Sequence, residues 1–193
     1  MAFWSQNFKN DTTLKDPKRK FRFTVEFQGI DGPGGAVLWY AKTAAKPQFE
    51  IESTEHQYLN HTFYYPSNLK WSPLDIEVID PVDPDVAATV SDIIQASGYA
   101  PPTDVNSLAT MSKAKSVGAL GTVIITQFDS NGNPLETWTL WNAWITSVNY
   151  GDLAYGDTEL STVQISLVYD WARIEAPGGS SAVVGGGNEF FKI

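Results

Sequence analysis

The run KFRFTVEFQG at residues 20–29 alternates apolar and polar side chains without a break. Phe21, Phe23, Val25 and Phe27 fall on one face, and Arg22, Thr24, Glu26 and Gln28 on the other. A period of two marks a half-buried β-strand. The pattern returns in PLDIEVI, residues 73–79, with Leu74, Ile76 and Val78 facing in and Asp75 and Glu77 facing out. It returns again in STVQISLVYDW, residues 161–171. There Val163, Ile165, Leu167, Tyr169 and Trp171 oppose Thr162, Gln164, Ser166 and Asp170. Strands this regular at both ends of the chain require sheets that each bury one face.

Between them the chain reads as further strands. AVLWYAKTA, residues 36–44, places Val37, Trp39 and Ala41 on one side, and Lys46-Pro47 ends it. QFEIES follows, with Phe49 and Ile51 opposite Glu50 and Glu52. The aromatic stretch EHQYLNHTFYYP, residues 55–66, is a hairpin arm or one more strand. DPVDPDVAATVSDIIQASG changes texture and predicts a flanking α-helix over about 84–97. Asp83 is placed to cap it, Pro84 suits its first turn, and Asp85 complements its positive end. Val86, Val90, Ile93 and Ile94 form one apolar stripe for packing on a sheet, and Gly98 suits the left-handed stop. Residues 99–120 read as a long connection with a short helix near 104–112. GTVIITQFDS is a strand, NGNP a turn, and LETWTLWNAWITSVNY a long strand or two strands joined by a bend. The sum is a mainly β protein, an antiparallel sandwich or barrel with one flanking helix. Its parts are a basic arm at 1–19, a β domain at 20–175 and a Gly-rich tail at 176–193.

The chain has 193 residues, enough for one core, and its 15 Gly and 11 Pro suit a turn-rich β protein. It has no cysteine, which removes disulfides, thiolate metal sites and a cysteine nucleophile. No stretch has the length of a membrane span or a signal peptide, so secretion by that route is not expected. The net charge of −9 is uneven: residues 1–22 carry +4 and the remainder −13. So acidic a body disfavours tight nucleic-acid binding. The basic arm is either a solvated tail or a DNA contact.

No catalytic constellation stands out. His56 and His61, five apart, would point to opposite faces of a strand, so neither a metal site nor a cofactor is expected. The carboxylate pairs Glu50/Glu52 and Asp75/Glu77 each project from one strand face. They fit a glycosidase pair, a solvated surface or a deliberately negative one. Trp138, Trp141 and Trp144 read as sugar platform, nucleic-acid ledge, interface or core. On a straight strand Trp141 opposes the other two, which favours core plus interface.

The order of segments resembles the tail-tube proteins of contractile-tailed bacteriophages of the T4 type. FRFTVEFQGI, AKTAAKP and HTFYYPSNLKWSPLDIEVIDPVDPDVAATVSDIIQ carry the likeness in the first half. LWNAWITSVNYGDLAYGDTELSTVQISLVYDWARIE carries it in the second, through Trp144, Thr146, Val148 and Gly151 and the ending Tyr169-Asp170-Trp171. The chain departs from the family's pattern at Ile145, where the family has proline, and at the added Asn149 and Tyr150. The resemblance implies the tube-protein fold that also serves type VI secretion tubes. It implies six-membered rings of a structural, non-enzymatic protein, stacked into the inner tube of a contractile tail and conducting DNA through the sheath. The implied partners are other copies of itself, the sheath, tape-measure, baseplate and tail-terminator proteins, and genomic DNA in transit without tight binding. The implied location is the virion tail, assembled in the host cytoplasm. Glu50, Glu52, Asp75 and Glu77 are then the expected lumen-lining residues, since carboxylates repel phosphate. Trp141 is the expected interface residue. A type VI-like or other injection particle is the alternative, and a carbohydrate-binding β-sandwich the competitor from another class.

Overall fold

A computed structural model describes residues 18–29, 36–37, 41–83, 85–101, 110–156 and 158–176. Most of the basic arm and of the Gly-rich tail, with Trp39, Pro84 and residues 104–109 of the helix expected near 104–112, lies outside them. Among the described residues are eleven strands and two helices: β1 (Phe23–Phe27), β2 (Ala36–Val37), β3 (Ala41–Ala44), β4 (Phe49–Tyr58), β5 (His61–Trp71), β6 (Leu74–Ile79), α1 (Val86–Ala96), α2 (Lys113–Leu120), β7 (Val123–Phe128), β8 (Pro134–Trp141), β9 (Trp144–Asn149), β10 (Thr162–Val168) and β11 (Trp171–Glu175). They form a five-stranded sheet ordered β11-β8-β7-β1-β2, a four-stranded sheet ordered β3-β6-β10-β9, and a separate two-stranded ribbon β4-β5. Every pairing is antiparallel.

The period-two runs are the core. Val25, Phe27, Val123, Ile125, Leu140 and Ala172 come from the larger sheet, and Leu74, Ile76, Val78, Val163, Ile165 and Leu167 from the smaller. All are buried, and α1 adds Val86, Val90 and Ile93 to the same cluster. This is a sandwich, each sheet hiding one face against the other.

Several sequence expectations shift. The strand expected at 36–44 is two short strands in different sheets, β2 at the edge of the larger and β3 at the edge of the smaller. Phe21 is exposed and precedes β1. The cap of α1 is Asp85, accepting from the Ala88 N–H at 2.9 Å, not Asp83. Asp80 Oδ1 takes the N–H groups of Val86 and Ala87, which leaves no donor for Asp83 to satisfy there. Gly98 ends the helix at φ 99°, as its position predicts. A second helix, α2, capped by Ser112, occupies Lys113–Leu120, which the sequence reads as connection. It stops at Gly121, φ 71°, where a Cβ would meet the backbone N of Gly29 at 2.2 Å. A residue without a side chain is needed for that approach.

The tryptophan run bends rather than running straight. Asn142 takes φ 54° and carries the chain from β8 in one sheet to β9 in the other. Tyr169 and Asp170 carry it back from β10 to β11. The two crossings lie side by side: the Asp170 N–H donates to the Trp141 carbonyl at 3.1 Å. Asp170 also accepts from Lys113 Nζ at 2.7 Å and Asn142 Nδ2 at 2.8 Å, and these bonds hold its carboxyl below the usual range. This double corner explains why Trp171 does not continue the buried row of β10. One crossing reverses the alternation.

Candidate functional site

The exposed face of the four-stranded sheet is built by register. Ser166 of β10 lies between Asp75 of β6 and Ser147 of β9; Gln164 lies between Glu77 and Asn149. On the far side Thr43 of β3 faces Glu77. The middle of this face therefore carries hydroxyls, amides and two carboxylates, with no aromatic side chain among these residues. Ser166 Oγ donates to Asp75 Oδ1 at 2.6 Å. Lys42 Nζ donates to Glu77 Oε1 at 3.0 Å and holds the Glu77 carboxyl below its ordinary range. Half of the acidic charge at this spot is thus neutralised within the chain.

Glu50 and Glu52 are elsewhere. They belong to the β4-β5 hairpin, where Glu50 lies across from Lys70 and Glu52 sits at a slip in the pairing. Asp75 and Glu77 share one face of the sandwich; the other two carboxylates do not join them on that sheet.

The hairpin is the least ordinary element. Every residue from Phe49 to Lys70 is exposed. These include Ile51, Tyr58, Leu59, Phe63, Tyr64 and Tyr65. A two-stranded ribbon bared on both sides is marginal by itself, and bare aromatic surface of this extent marks a contact with another molecule. His56 and His61 lie on its two strands, exposed and not paired with each other.

The three tryptophans separate. Trp138 is half-buried and donates from Nε1 to Glu136. Trp144 is half-buried at the start of β9, opposite Val168. Trp141 is 41% exposed and stacks on Trp171, its cross-strand partner, at 6.3 Å and 19°. Sequence reasoning singled out Trp141 but missed Trp171, whose place in a buried alternation hid it. It also missed Lys42, Ser147 and Asn149 as neighbours of the two carboxylates; only the order of strands reveals them. Among the described residues no group of His, Asp and Glu could hold a metal ion.

No protein-family model and no curated protein matches the chain. Solved structures do. A chain of the anti-feeding prophage baseplate is 16% identical with TM-score 0.62, covering 85% of this chain and 99% of its own. A chain of an extracellular contractile injection system, in the PVC sheath/tube terminator, is 14% identical with TM-score 0.60, covering 85% and 100%. Another, in the PVC sheath-tube complex in the extended state, is 15% identical with TM-score 0.59, covering 83% and 92%. The fold is the tail-tube fold that the order of segments implies.

Proposed function

We propose that this chain is a ring-forming structural subunit of the inner tube of a contractile tail. The observation that carries the reading is the hairpin. Twenty-two consecutive exposed residues, rich in Tyr, Phe and Leu, have no place in a free monomer. The four-stranded sheet ends in β3 and β9, and among the described residues no further strand pairs with their outer edges. A hairpin from the next copy laid on such an edge would join the small sheets of successive subunits into one closed barrel. The face with Asp75, Glu77, Gln164 and Ser166 would then line a lumen. The five-stranded sheet would face outward and present Trp141 and Trp171 to a surrounding sheath. The likeness to chains of a sheath-tube complex and a baseplate supports these partners.

For cargo, we infer DNA and, before it, a tape-measure protein, as in a phage tail. The support is the acidic charge and the low-adhesion lining; Asp75 repels phosphate while hydroxyls and amides leave nothing for a base to stack on. The subunit acts by shape and charge, without turnover of its own.

Purified protein examined by negative-stain microscopy and sedimentation tests this. The parent chain should give six-membered rings or stacked tubes. A variant with residues 53–66 replaced by a two-residue Asn-Gly turn should stay monomeric at the same concentration. A parent chain that remains a monomer, or a hydrolytic activity abolished by Glu50→Gln or Asp75→Asn, would overturn the reading.

A further inference from the structure

The hairpin is bare but firmly rooted. Phe49 and Trp71 are cross-strand partners at its base, edge to face at 5.2 Å and 67°. Trp71 reaches on to Tyr169 at 5.7 Å. Tyr169 is only 4% exposed and stands in the double corner, one residue before the clamped Asp170. Its hydroxyl is buried toward the Gln48 backbone without a hydrogen bond of good geometry. The Ser72 N–H donates to the Gln48 carbonyl at 2.8 Å and closes the root. Three pairs further out, the pairing slips. Ile51 faces Leu69, but Ser53 faces Pro66, so Glu52 stands against both Ser67 and Asn68. This bulge, beside a proline that has no N–H, divides a short root from a longer arm.

We infer that Trp71, held between Phe49 and Tyr169, is the positioning residue that sets the angle at which the hairpin leaves the body, and so aims the arm at the next subunit. The inference rests on the ring reading above. Lever arithmetic gives it weight. From root to tip is about ten residues, or roughly 34 Å at strand rise. A tilt of about 10° at the root would move the tip about 6 Å, more than the 4.8 Å spacing of paired strands. An arm aimed that badly misses its edge. Backbone hydrogen bonds at the root fix where the hairpin starts, whereas an edge-to-face aromatic contact is directional and fixes where it points.

The chain has no cysteine, so two spin labels can be placed without background. Asn60→Cys marks the tip and Gln95→Cys, on α1, the body. Pulsed electron resonance on the monomer should give one narrow distance distribution in the Trp71 parent. Trp71→Ala should widen it at least twofold and raise the protein concentration needed for rings at least tenfold. Trp71→Phe should restore both. An unchanged width, or a loss of assembly that follows an equal loss of thermal stability, would overturn the inference. If Trp71→Ala aggregates, Trp71→Leu keeps the bulk without the ring edge and serves the same comparison. The hairpin-arm deletion keeps the two failures apart. A parent chain that stays monomeric would sink the ring reading, and rings formed without the arm would sink the arm's part in it together with this inference. An arm that is needed, with a Trp71 that is not, would sink only this one.

Discussion

Among the described residues Glu136, on β8, is the one buried carboxylate, 5% exposed. Burial by itself pushes its pKa up, but Lys18, Lys46 and the Trp138 N–H overcome that and hold it at about 2. Lys46 Nζ lies 2.8 Å away, and Gln127, across from Glu136 in β7, shares that lysine. Because the folded pKa lies below the ordinary value, the stabilisation is complete above about pH 5 and is lost as pH falls toward 2. Glu136→Gln should therefore cost about 2 kcal/mol near neutral pH and flatten the fall in melting temperature between pH 5 and pH 2. Thermal melts of both proteins across that range are the check; parallel curves would refute the assignment. Nothing in ETWTLW announces this site. Its lysines are 118 and 90 residues distant, and only the closed sandwich brings them together.

The strands were legible for the opposite reason. In PLDIEVI and STVQISLV each residue reports its own burial, since period-two alternation is local and both sheets bury one face. What alternation cannot report is a crossing between sheets. It therefore mistook Trp171 for core and AVLWYAKTA for a single strand. The hairpin was legible as aromatic and β-prone but not as bare, because nothing local says whether a partner is present. The Trp141–Trp171 stack gives a prediction at this scale. On an outward sheet it should bind the sheath and not the neighbouring subunit. Trp141→Ala with Trp171→Ala should leave rings intact in sedimentation and weaken capture of the sheath protein at least tenfold, a loss of hot-spot size. Disrupted rings with normal sheath capture would reverse the assignment of faces.

The whole molecule carries −9, and its assembly would place some of that charge on a shared inner surface. Replacing Asp75 and Glu77 together by Lys turns a phosphate-repelling face into a phosphate-binding one. Tubes of that variant should retain short duplex DNA at low salt at least tenfold better than parent tubes, with the difference collapsing at high salt. Equal retention by both would show that these residues do not line the channel. Gly121 and Gly29, by their close approach, and Asp85, by its cap, belong to the fold and not to this surface. The double corner bears on a different question, that of force. Hydrogen bonds alone do not hold the two layers together at that end. The covalent chain passes between them twice, at Asn142–Ala143 and at Tyr169–Asp170, like two adjacent stitches through a folded cloth. A tube driven by a contracting sheath is sheared along its walls. Here the shear between inner and outer layers would be borne by peptide bonds, which do not creep.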